Sequence, residues 1–139
     1  MPRIFRAMLT DGTLPMVGPD ARMLGVRVPV DIYPDENGLV HPGTGGMSVA
    51  PSAADLPPHR IPRRLRGQPG MASAVGSDAL RIWRLGDGSF EPSKVQEKLQ
   101  LRIDGRGGRH GLIEPDAIMH LSDYSVALAA TQPAWRMDE

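Results

Sequence analysis

The chain has 139 residues, the length of one ordinary domain, and its 16 acidic and 16 basic side chains cancel, so net charge selects no partner. The absence of cysteine excludes disulfides, thiolate metal sites and thiol nucleophiles. With 16 glycines and 14 prolines, more than a fifth of the chain is backbone punctuation, against roughly 12 % in average usage, which leaves little room for long helices.

Residues 3–9 carry Ile4, Phe5, Met8 and Leu9 without a breaker and read as an opening strand. From Leu24 to Ile32 apolar residues alternate, with Leu24, Val26, Val28, Val30 and Ile32 on one face. Pro29 has no N–H to give a ladder, so the pattern predicts an edge strand. The next alternations, 80–85 and 99–103, predict two further strands, and Pro92 to Lys98 between them is the length of one helical turn. One helix is expected, capped by Ser122, with Asp123 in its first turn and Gln132-Pro133 as its stop. Tyr124, Ala127, Leu128 and Thr131 then form one stripe able to lie on a sheet. Several short strands with one short helix read as α+β with strand predominating, in a single domain over 1–139.

Between Tyr33 and Ala79 runs a long Pro/Gly/Ser-rich tract with almost no periodic segment, which reads as a loop. It contains two dense patterns. Gly43-Thr44-Gly45-Gly46 can turn successive backbone N–H groups onto an anion, with hydroxyls added by Thr44 and Ser48; the alternative is a tight turn. His59, Arg60, Arg63, Arg64 and Arg66 form a basic cluster with no acid between Asp55 and Asp78, either an anion site or a solvated, partner-facing loop. Arginine supplies 14 of the 16 basic residues, which suits bidentate anion contacts or a GC-rich genome.

The four histidines have none of the short spacings of a zinc site, so no metal is expected. His110 and Glu114 share a face if this segment is a strand, and could place an imidazole and a carboxylate near one ligand; a surface turn is the alternative. Arg6, inside an apolar segment, is either a snorkelling edge residue or a buried anion clamp. No apolar run approaches the roughly 20 residues of a membrane span, and the stretch after Met1 lacks the apolar core of a cleavable signal. A cytoplasmic site of action is therefore expected.

Three blocks carry a resemblance: Ile4-Phe5-Arg6-Ala7, the stretch from Gly38 to Val49, and His110-x-x-Ile113-x-Pro115-x-x-x-Met119. In order and spacing they resemble type VI secretion effector toxins with an ADP-ribosyltransferase-like fold and their small stand-alone homologues, over residues 3 to about 131. The resemblance implies a split, curved β-sheet around a cleft for NAD, which serves as substrate. It implies that Arg6 holds the cofactor, that Thr44, Gly45, Gly46 and Ser48 shape the nicotinamide pocket, and that His110 lines the cleft. Glu114 falls within the third block and is the candidate catalytic acid beside His110. An intracellular target, a cognate immunity protein and delivery by a secretion machine are implied with it. The alternative reading is a non-catalytic protein- or RNA-binding module using the Arg-rich loop 59–66; a third is a transferase fold that has lost its chemistry.

Overall fold

A computed structural model describes residues 1–105 and 107–139. The strands in chain order are β1 (Ile4–Met8), β2 (Thr10–Asp11), β3 (Leu14–Pro15), β4 (Leu39–Val40), β5 (Met47–Val49), β6 (Arg81–Leu85), β7 (Ser93–Gln96), β8 (Leu99–Ile103), β9 (Gly111–Pro115), β10 (Met119–His120) and β11 (Arg136–Met137). The helix α1 spans Leu121–Ala130, and four single turns of 3-10 helix complete the elements. The fold is α+β and strand-rich, as the short alternations predict.

Two sheets dominate. One has the order β1-β6-β11, with Ile4 opposite Leu85 and Met8 opposite Arg81; the other has the order β5-β9-β8-β7, antiparallel throughout. They meet at Phe5 and Ala50, whose backbones exchange hydrogen bonds of 2.8 and 3.0 Å. All five residues of β1 are buried because both faces of its sheet are covered. Ile4 and Met8 belong to the larger apolar cluster with Trp83 and Leu85, whereas Phe5 and Ala7 belong to a smaller one with Leu80 and Ile82.

The tract 33–79, which its composition reads as one long loop, carries regular elements and core residues. It contains β4, β5 and three 3-10 turns, and it sends Leu56, Ile61, Leu65, Met71 and Ala74 into the smaller cluster. Its turn at Gly45 admits only glycine: φ is +123°, and a Cβ there would lie 2.2 Å from the Asp31 carbonyl oxygen. Gly45→Ala is expected to cost about 1–3 kcal/mol in urea unfolding; a change below about 0.5 kcal/mol would show that the turn relaxes freely.

The strand predicted over 24–32 does not form. Leu24 and Ile32 each make an isolated bridge, to Val17 and Gly45, and between them the chain turns, leaving Val28 45 % and Val30 70 % exposed. The Asp31 N–H donates to the Arg27 carbonyl at 2.8 Å, and the Asp31 carboxylate accepts from the Arg27 backbone and guanidinium, so an i,i+4 ion pair closes the turn. The helical turn expected at 92–98 is instead β7, an edge strand with only Val95 buried. The helix starts one residue before Ser122, with His120 at its N-cap and the Leu121 N–H donated to the Gly38 carbonyl. Its predicted stripe is buried: the Tyr124 hydroxyl donates to Ile113 O at 2.5 Å and accepts the Met47 N–H at 3.2 Å, tying β5 to β9 from above. Burial pushes that phenol well above its usual range. Among the described residues no helix is long and apolar enough to cross a membrane.

Candidate functional site

Arg6 sits at the centre of β1 on the face of Ile4 and Met8, and it is 6 % exposed. In the irregular segment 21–25 beside it the carbonyls of Arg22 and Leu24 accept the backbone N–H groups of Leu9 and Gly18, and the guanidinium serves those of Ala21, Met23 and Gly25. Nε donates to Met23 O at 3.1 Å, Nη1 to Ser48 O at 2.7 Å, and Nη2 to Ala21 O and Met23 O at 3.1 and 2.9 Å, with a longer contact to Gly25 O. Burial lowers its pKa to about 10; Asp31 opposes that shift, while Arg60 and Arg27 reinforce it. Arg6 is therefore a cation at neutral pH, and both sequence readings need amendment: it is buried, but what it clamps is backbone.

Arg6 lines a cavity of about 160 Å³. Ser48, on β5, has its carbonyl on Arg6 and an exposed side chain at the cavity wall. His110, just before β9, lines the same cavity, as do His59 and Arg60 from the basic loop and Arg27 and Asp31 from the 27–31 turn. Ala7, Val49, Ala50 and Leu56 make the apolar part. Three arginines thus face one acid. Burial alone would raise the Asp31 pKa, but the Arg27 hydrogen bonds and the charges of Arg27 and Arg6 hold it below the usual carboxylate range.

His110 has a partner that sequence reasoning missed. Its Nδ1 is hydrogen-bonded to Asp104 Oδ2, and the Asp104 N–H donates to the His110 carbonyl at 3.3 Å. Gly105, Gly107 and Gly108, all at positive φ, lie in the loop that returns the chain from one to the other. An Asp six residues before a His across a glycine-rich turn was the available signal.

The other predicted site residues lie elsewhere. Thr44 is spent on its own turn, its hydroxyl donating to His41 O at 2.7 Å. Gly46 donates its N–H to Asp31 O, and a Cβ on it would lie 2.5 Å from Ile113 O, so the glycines serve close packing between backbones. The N–H groups of Gly43, Thr44, Gly46 and Met47 all have partners within the chain, which leaves no row of them for a pyrophosphate. Glu114 is fully buried outside the cavity, beside a second hollow of about 460 Å³ over β7, β8 and β9. Its carboxylate accepts from Arg102 Nε at 2.6 Å, Gln100 Nε2 at 2.8 Å and Gly43 N at 2.9 Å. In the basic cluster, Arg64 bonds to Glu139 and to the Leu80 carbonyl, and Arg66 donates to Ala74 O at 2.6 Å. Two of its four arginines are thereby tied into the fold, and a third, Arg60, lines the cavity.

Among the described residues no cluster of three or more His, Asp or Glu side chains is arranged to hold a metal ion. No protein-family model matches the chain, and no curated protein matches it. What the cavity can do follows from its chemistry. Its volume is close to that of an apolar cavity that accepts benzene, roughly 150 Å³, so it has space for one ring, with cations beside it for anionic groups.

Proposed function

We propose that the chain is an ADP-ribosyltransferase-like bacterial toxin, an effector of the type VI secretion kind, which takes NAD into this cavity and modifies an intracellular target. The observation that carries the reading is the convergence of Arg6, Ser48 and His110, from three distant segments, on one ring-sized cavity walled by further arginines. In this reading the nicotinamide enters over Val49 and Ala50, and the pyrophosphate lies toward Arg60 and Arg27. Breaking the nicotinamide–ribose bond leaves positive charge on the sugar, which an ionised carboxylate stabilises in a site screened from water. Glu114 is outside the cavity, so Asp31 takes that part.

Calorimetric titration of NAD into the folded protein tests this. Wild type is expected to bind, and Arg60→Ala to bind at least about tenfold more weakly through loss of a charge-assisted contact. Absent heat in wild type, or equal affinity in both, would remove NAD from the cavity. In bacteria, induced wild type is expected to arrest growth where His110→Ala at equal abundance does not.

A further inference from the structure

We propose that Asp104 is a positioning residue that makes His110 the general base of the transfer, and that the acceptor is a protic nucleophile such as a hydroxyl rather than a carboxylate anion. The inference rests on the transferase reading above, and on one pair of contacts that this reading does not use: His110 Nδ1 on Asp104 Oδ2, and the Asp104 N–H on the His110 carbonyl.

A carboxylate accepts hydrogen bonds and cannot donate them, so a ring nitrogen bonded to it carries the hydrogen. Asp104 thereby assigns the ring hydrogen to Nδ1 and leaves Nε2 with its lone pair. His110 lines the cavity with Ser48, so Nε2 is the nitrogen available to a bound molecule. The second contact holds the backbones of Asp104 and His110 together, which keeps the carboxylate beside the imidazole.

A base at this place restricts the acceptor to one that gives up a proton. An acceptor that is already an anion needs no base, whereas a hydroxyl, like any protic nucleophile, must lose its proton as it attacks. In the step, the acceptor oxygen forms a bond to the anomeric carbon of the ribose, and its proton passes to Nε2. The bond from that carbon to the nicotinamide nitrogen breaks, with the electron pair going to the pyridine ring, which leaves neutral. The positive charge that NAD carried on that ring ends on the imidazole, beside the Asp104 carboxylate, which stabilises the imidazolium. Water and the hydroxyl of a macromolecule meet the requirement equally. Release of free ADP-ribose marks the first, and ADP-ribose retained on a macromolecule marks the second.

Nitrogen NMR of the His110 ring, with nicotinamide release from NAD measured in parallel, tests the proposal in wild type and Asp104→Asn. The wild-type neutral ring is expected to carry its hydrogen on Nδ1. In Asp104→Asn, whose amide can donate as well as accept, the population moves toward Nε2–H, and kcat falls about 10- to 100-fold with KM for NAD unchanged. A wild-type ring protonated on Nε2 overturns the proposal, as does a variant whose kcat stays within about twofold of wild type. The wild-type tautomer needs no variant, so it decides the matter even if Asp104→Asn misfolds. If wild type releases no nicotinamide, the transferase reading falls, and the tautomer still reports separately whether Asp104 sets the ring.

Discussion

Arg6→Leu is expected to lose about 3–5 kcal/mol of folding stability, a large part of the roughly 5–15 kcal/mol that a domain commands. Leucine fills part of the volume but donates nothing to the carbonyls of Ala21 and Met23, which lie outside any strand and are left wanting a donor, and it loses the contact to Ser48 O. An orphaned buried acceptor costs about 1–3 kcal/mol, and water reaching the cavity side recovers some of that. Arg6→Lys keeps the charge but replaces a planar fork by one ammonium, which cannot span carbonyls from 21–25 and from Ser48 together, so it recovers only part of the loss. The midpoint of urea unfolding measures both variants, and a change below about 1 kcal/mol for leucine would contradict the keystone role. Loss of NAD binding in an Arg6 variant would therefore mix folding with recognition, which is why Arg60 is the cleaner probe of the cavity.

Glu114→Gln is expected to cost about 2–4 kcal/mol near neutral pH and progressively less in acid. The carboxylate takes three donors, from Arg102, Gln100 and the Gly43 backbone, and an amide must turn its NH₂ toward one of them. Burial alone would raise the Glu114 pKa; the hydrogen bonds from Arg102, Gln100 and Gly43 outweigh it, and the folded value lies below the ordinary one. Its contribution is then complete above the unfolded pKa and is lost as pH falls through the folded one. Unfolding free energies of wild type and Glu114→Gln measured across that range should converge as the solution becomes more acidic. Parallel curves would mean that the ionised form gives nothing that the amide does not. Asp31 and Glu139, also lowered by their arginine partners despite burial, add to acid lability in the same direction.

The elements legible in the sequence are those whose alternation coincides with real burial. Ile4 to Met8, Arg81 to Leu85 and Leu99 to Ile103 are strands because their apolar residues meet partners, and the helix stripe from Tyr124 to Thr131 packs as its spacing requires. Leu24 to Ile32 has an equally clean alternation, but it is defeated by a long-range effect: Arg6 offers the carbonyls of Ala21 and Met23 a better partner than a neighbouring strand, and Arg27 with Asp31 closes a turn. β5 was illegible because only three residues pair, inside a glycine-rich stretch. In the site, Ser48 and His110 are nameable by residue type, whereas Asp104 shows in the sequence only as an acid six residues before His110 across a glycine-rich stretch, a weak signal until the contact itself is seen. Glu114 lies within β9 whereas His110 precedes it, and hydrogen bonds from Arg102 and Gln100 hold the buried carboxylate outside the cavity, which the spacing of the two residues does not reveal.

The two apolar clusters on opposite sides of β1 carry a consequence for how the molecule breathes. His59 and Arg60 stand between Leu56 and Ile61 of the smaller cluster, whereas Ser48 lies between Met47 and Val49 of the larger. The cavity thus lies at the seam between the two clusters. Local opening of 53–74 would take away the Arg60 wall while leaving β5 paired with β9, so amide hydrogens in 53–74 are expected to exchange faster than those of β8 and β9. A ligand gripping both walls stitches the clusters together, and its binding energy then appears as added protection of the smaller one.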